Sequence, residues 1–153
     1  MHPDRIEREI VIRASVERVW SLVTQPGLWV TTGGPGDRRA RLDFDLDSGA
    51  LLVPEGAGRG GFQARIERVD PPWYLAYRWA SAFPGEEPGE GNSTLVEFTL
   101  ERVGDATRLR VTESGFAALA ASEEARRQAL DDNTGGWGIE LERLRQGAER
   151  RAA

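Results

Sequence analysis

Few side chains in this sequence could do chemistry, and the most informative of them is Glu113. Leu109, Val111 and Glu113 alternate with Arg108, Arg110 and Thr112, the period of two that puts every second side chain on one face of a strand. Glu113 therefore continues the inward register of two aliphatic residues, although it is ionisable. A buried carboxylate needs a partner or a raised pKa. Two readings are open at this point. In one, the strand twists or bulges so that Glu113 reaches solvent or an arginine. In the other, it is a polar anchor at the mouth of a cavity, or a general base if the protein is an enzyme. Tyr77 falls on an inward position of an earlier strand, where its phenol could orient a ligand.

Other chemistries lack their residues. The chain has no cysteine, which excludes disulfides, thiolate metal sites and cysteine nucleophiles. Its single histidine is His2, near a terminus, so neither a histidine metal cage nor a Ser-His-Asp triad can be built. All 20 basic residues are arginine, which excludes a Schiff-base or P-loop lysine. Neither a metal nor a cofactor is expected. The net charge of -5 argues against nucleic acid, where a basic surface supplies most of the affinity. Asp43, Asp45 and Asp47 share a face, but it is the polar face of a strand. The run Gly56-Ala57-Gly58-Arg59-Gly60-Gly61 precedes a strand and so lacks the helix N-terminus of a phosphate cradle. No apolar run approaches a membrane span of about 18 residues. With a charged N-terminus in place of an apolar signal core, a cytoplasmic protein is expected.

The elements that must position Glu113 follow from periodicity. Ile6, Ile10 and Ile12 mark a first strand over residues 6–13, blurred by Arg8 and Val11. Ser15 caps a short helix carrying Val16, Val19, Trp20 and Val23, which Pro26-Gly27 ends. Leu42, Phe44 and Leu46 form an amphipathic strand that turns at Ser48-Gly49 into residues 50–53. Phe62, Ala64 and Ile66 alternate next, then Leu75, Tyr77 and Trp79 after a turn at Asp70-Pro71-Pro72. Residues 84–93 read as an exposed loop. Val96, Phe98 and Leu100 return through Gly104-Asp105 to Leu109 and Val111. Ser122 caps a last helix with an apolar stripe of Ala125, Ala129, Trp137, Leu141, Leu144 and Ala148. Gly135-Gly136 costs that helix about 1 kcal/mol per glycine relative to alanine, and the sequence leaves open whether the helix is continuous through them. Successive hairpins and terminal helices predict a single α+β domain over residues 1–153.

Three motifs resemble the START-like (SRPBCC) superfamily: Ala14-Ser15-Val16-Glu17-Arg18-Val19-Trp20, Asp70-Pro71-Pro72 followed by Leu75-Ala76-Tyr77-Arg78-Trp79, and Thr112-Glu113-Ser114-Gly115-Phe116 with Gly136-Trp137 and Leu141-x-x-Leu144. The third resembles most closely the branch named for the C-terminal domain of the activator of the ninety-kilodalton heat-shock protein's ATPase. The likeness spans roughly residues 6–148. It implies a helix-grip fold, a curved antiparallel sheet of about six or seven strands wrapped around a long C-terminal helix, with a deep apolar cavity between them. The loop after the first helix often carries a tryptophan patch in this branch, and Leu28-Trp29-Val30 matches it in part.

The fold by itself implies no single activity. The leading expectation is non-catalytic binding of a hydrophobic small molecule or lipid in the cavity. The first alternative is a co-chaperone-like module whose partner is a chaperone or another protein, and the second a polyketide cyclase-like enzyme. Candidate ligand-binding residues are Trp29, Phe44, Phe62, Tyr77, Trp79, Phe98, Glu113, Phe116, Trp137 and Leu141, with Glu113 the one catalytic candidate. Packing alone also accounts for most of the aromatic residues in this set. Arg65 and Arg78 fall on the opposite parity and are expected in solvent.

Overall fold

In a computed structural model of the protein, the described residues are 5–24, 43–45, 50–52, 64–80 and 89–150, with the backbone alone for 43–45, 50–52 and 64. Chain order is β1 (Arg5–Ile12), α1 (Val16–Val23), β2 (Asp43–Asp45), β3 (Ala50–Leu52), β4 (Ala64–Asp70), β5 (Tyr74–Trp79), β6 (Thr94–Val103), β7 (Ala106–Ser114) and α2 (Glu123–Glu149). The strands form one seven-stranded sheet ordered β1-β7-β6-β5-β4-β3-β2. Every neighbouring pair is antiparallel. The helix-grip α+β architecture expected from the sequence is thus present. β1 and β2, consecutive strands in the sequence, sit at opposite edges, and the last strand returns to lie beside the first.

Local chemistry explains the boundaries. Ser15 is extended (φ -66°, ψ 158°) and its hydroxyl accepts from Arg18 N at 3.1 Å, capping α1, and Glu17 in the first turn suits the positive end of the helix dipole. The β6–β7 hairpin turns in two residues between Val103 and Ala106. Gly104 takes φ +61° there, the positive φ that tight hairpin turns demand and glycine supplies. β4 carries a bulge: Ile66 pairs with Tyr77, but Arg68 with Ala76. The extra residue at Glu67 moves the inward parity from Ile66 to Val69, so both pack against the core from the same strand,.

The core lies between one face of the sheet and the helices. From the sheet it takes Ile6, Ile12, Leu75, Tyr77, Val96, Phe98, Leu100, Leu109 and Val111. α1 adds Val16, Val19, Leu22 and Val23, and α2 adds Trp137, Leu141, Leu144 and Ala148 at helical spacing,. The opposite face of β1 and β7 is polar, with Glu9 paired to both Arg108 and Arg110.

α2 closes one point that the sequence left open and departs from one expectation. It runs unbroken for 27 residues through Gly135 and Gly136. Both glycines keep helical geometry because the buried side chains on the following turns hold the helix to the core, and tertiary packing outweighs propensity. The apolar stripe is also shorter than expected. Ala125 is exposed, in the first turn beside exposed Glu123 and Glu124, and Ala129 is half-buried. Ser122 does cap the helix, accepting from Ala125 N at 3.1 Å. The other end is tied down by the Arg18 guanidinium, which donates to Gly147 O at 3.1 Å, and by Arg13 N, which donates to Glu149 Oε2 at 2.8 Å. α2 packs chiefly against β1 and α1.

Candidate functional site

The register places Ile66, Tyr77, Val96, Glu113 and Ile6 in one row across five strands. Four members of the row are apolar or aromatic and one is a carboxylate. Glu113 keeps its inward position, with no bulge in β7, and is 0% exposed. It does not reach solvent, and among the described residues it pairs with no arginine, which corrects the first sequence reading. A set of neutral donors surrounds it instead.

Those donors come from three elements. Trp79 Nε1 in β5 donates to Glu113 Oε2 at 2.9 Å and Thr94 Oγ1 at the start of β6 donates to the same oxygen at 2.5 Å. Trp137 Nε1 in α2 donates to Oε1 at 2.8 Å. Asn133 Nδ2, one turn earlier on α2, spans both oxygens at 3.2 and 3.0 Å. Each contact has a local cause. Trp79 and Thr94 are directly opposed across β5 and β6. Thr94 is two residues from Val96, the partner of Glu113, so it stands diagonally across the strand pair, within side-chain reach. Asn133 and Trp137 are four apart and share a helix face.

An ionised carboxylate offers about four lone-pair positions. Four donors, one of them shared between the oxygens, occupy them. A general base needs a free lone pair aimed at the proton it takes, and none is left over here. Buried carboxylates cost several kcal/mol unless hydrogen bonds replace their hydration, and this donor set supplies that replacement.

Aromatic rings close around the carboxylate. Trp137 packs against Trp79 with ring centroids 5.8 Å apart and edge-on to Phe98 at 5.7 Å. Tyr77 meets Trp79 edge-on at 5.9 Å and Phe98 at 6.2 Å. Offset and edge-to-face pairs of this kind add about 0.5–1.5 kcal/mol each beyond burial. Burial pushes the Tyr77 phenol well above its ordinary value near 10, and the neighbouring Glu113 charge adds to the shift.

Six of the other candidate residues can be placed. Tyr77, Phe98, Phe116, Trp137 and Leu141 are buried and Trp79 is half-buried. Tyr77, Trp79, Phe98 and Trp137 gather around Glu113. Phe116 lies in a 3-10 turn just past β7, and Leu141 one helical turn beyond Trp137. Trp29, Phe62 and the side chain of Phe44 fall outside the described residues. Sequence reasoning missed Thr94 and Asn133. For Asn133 a signal existed, its spacing of four from Trp137; for Thr94 only the pairing of β6 with β7 reveals it.

The cleft that the described residues outline lies elsewhere, at one end of the sheet. Its volume is about 390 Å³ and its lining is Arg65, Arg78, Gly89, Glu90, Gly91, Ser93, Gly115 and Ala118. Among the described residues no cluster of acidic or histidine side chains could hold a metal, and no helix is long and apolar enough to cross a membrane.

Solved structures share this architecture. The chain is similar to protein MLL2253 of Mesorhizobium loti (22% identity over 97% of this chain and 99% of that one, TM-score 0.69). It is also similar to CalU16 of Micromonospora echinospora (24%, 93% and 72%, TM-score 0.63) and to the subunit of the Aha1 dimer of Colwellia psychrerythraea (18%, 97% and 98%, TM-score 0.61). At these identities the likeness is one of fold. No curated protein matches the chain. Residues 13–149 match the model of the family described as activator of Hsp90 ATPase homolog 1-like protein, and the chain belongs to that family.

Proposed function

We propose that the protein binds an apolar small molecule or lipid, without catalysis, between the inner face of its sheet and α2. The observation that carries this reading is the committed state of Glu113. The one carboxylate inside the described core has both oxygens filled by Trp79, Thr94, Asn133 and Trp137. It acts as a fixed post that holds aromatic walls in place, and no second described acid stands beside it to complete an acid–base pair.

The location follows from where α2 packs. The helix lies chiefly against β1 and α1, on one side of the sheet. Toward the other side, Ile66, Val69 and Trp79 face inward and are half-buried. Trp79 has its indole nitrogen pinned by Glu113 and so presents a fixed ring surface. An apolar wall with few, fixed polar groups is the usual lining of a small-molecule site. Tyr77, Phe98, Phe116, Trp137 and Leu141 support that wall from within, and Trp29, Phe44 and Phe62 are its further candidates.

The family description also suggests a co-chaperone role. A protein-docking face needs a contiguous apolar patch, whereas the large exposed apolar residues among those described, Val11, Trp73 and Ile139, sit on β1, the β4–β5 turn and α2. The test is native mass spectrometry of protein purified from its own host. A bound apolar small molecule, released on denaturation, is the expected result. Bare protein that also takes up nothing from the host's lipid extract contradicts the reading.

A further inference from the structure

The cleft at the end of the sheet has a chemistry unlike that of the interior. Arg65 and Arg78 are direct partners across β4 and β5. Both are on the opposite parity to Ile66, Tyr77 and Trp79, so they share the outer face of the sheet. Like charges directly opposed on a strand pair repel. Arg78 is partly compensated by Glu67, whose Oε1 lies 3.4 Å from its Nε. Among the described residues, no carboxylate forms an ion pair with Arg65. Glu90 is the acid among the described lining residues; with Glu67 on Arg78, Arg65 is the lining guanidinium left without a described ion pair.

The rest of the described lining is largely main chain. Gly91 and Gly115 take φ +85° and +98°, conformations open to glycine and strained for other residues. Ala118 and Ser93 are the small side chains beside them. Ser93 Oγ donates to Gly89 O at 2.6 Å, which holds this loop against the cleft. Glycine, alanine and serine leave main-chain groups and short side chains as the rest of the described lining.

We propose that this cleft binds a small organic monocarboxylate. Its carboxylate lies on the Arg65 and Arg78 guanidinium groups, and its apolar body runs along Gly91, Gly115 and Ala118. The planar guanidinium fork matches a carboxylate in both shape and charge. One negative charge answers the guanidinium of Arg65, whereas a dianion would meet Glu67 and Glu90 uncompensated. The volume of about 390 Å³ is at the small end of the range of roughly 300–1,000 Å³ for ligand pockets. The site is separate from the interior and does not depend on the interior's holding a ligand.

The test is an NMR titration of nitrogen-15-labelled protein with sodium hexanoate at fixed ionic strength, with 1-hexanol and inorganic phosphate as comparison probes. Saturable shifts are expected at the Gly91 and Gly115 amides with hexanoate, and much weaker ones with either comparison probe. Arg65→Gln, an exposed site whose substitution keeps the spectrum dispersed, is expected to raise the hexanoate Kd roughly tenfold or more. Arg102→Gln, at the other end of β6 from Ser93, is expected to leave it unchanged. Absence of saturable shifts overturns the proposal. So do equal responses to hexanol, which mean apolar contact alone, and equal responses to phosphate, which mean charge alone. A Kd unchanged in Arg65→Gln overturns it as well.

Discussion

The indole Nε1 of Trp137 donates to Glu113 Oε1 at 2.8 Å, and this contact ties the C-terminal helix to the strand it covers. Substituting Glu113→Gln turns one acceptor into a donor and sets N–H groups against N–H groups at a side chain that is fully buried. An unsatisfied buried group costs about 1–3 kcal/mol, and more where a charged network is broken. Glu113→Gln is therefore expected to lower unfolding free energy by about 2–4 kcal/mol in urea or guanidinium titrations, with loss of the near-ultraviolet circular dichroism of the packed tryptophans. An unchanged denaturation midpoint would show that the carboxylate does not hold the helix.

Trp137→Phe keeps most of the ring and deletes the donor, and Asn133→Ala deletes the amide one turn away. Because both serve the same carboxylate, their effects should not add. A double-mutant cycle is expected to give a coupling energy of about 0.5–3 kcal/mol. Additivity within error would mean that the two contacts act independently.

Gly135 and Gly136 lie inside α2, and a Cβ built on either would meet nothing within 4 Å. Neither packing nor a positive φ requires glycine there. Gly135→Ala and Gly136→Ala are each expected to stabilise the fold by about 1 kcal/mol, measured as a raised Tm. A lowered Tm would show that the helix needs to bend at this point.

The chain has two tyrosines, and both titrate late. Tyr77 is shifted up by burial and then by Glu113. Tyr74 is pushed up to about 12, first by burial and then by its hydrogen bond to Glu97, whose Oε2 accepts from the phenol at 2.5 Å. The folded state thus disfavours tyrosinate, while the unfolded chain ionises near pH 10. Stability is unaffected by these groups below about pH 10 and falls as pH rises from there toward and beyond 12. A spectrophotometric titration should show little tyrosinate at pH 10.5 in native protein, and both tyrosines ionising normally in denaturant. Ionisation of one full tyrosine near pH 10 in native protein would contradict this placement.

Much of this arrangement was legible before any coordinates. Hairpins show in the period-two runs around Phe98 and Leu109 and in the turn at Gly104-Asp105, because both signals are local. Ser15 and Ser122 announced their helices for the same reason. The inward register of Glu113 was also readable from Leu109 and Val111. Its partners were less so, since Thr94 and Trp79 reach it only through the registers of β5, β6 and β7, which are long-range facts. Helix continuity through Gly135-Gly136 was open because local propensity opposes it, and the burial of Trp137, Leu141 and Leu144 decides otherwise. Ala125 shows the reverse error: periodicity extends a stripe past the point where there is still a core to cover.

The central claim, an apolar ligand held between sheet and helix, is tested most directly by filling the proposed space. Ile66 is half-buried on the inner face of β4, and Ile66→Trp adds bulk there while leaving the Glu113 cluster intact. Fluorescence titration with an environment-sensitive apolar dye should show saturable one-to-one binding to the wild-type protein. In folded Ile66→Trp that binding should weaken at least tenfold, while Ile139→Ser on the exposed side of α2 binds as the wild type does. Undiminished binding in folded Ile66→Trp, or no saturable binding to the wild type, would contradict the claim.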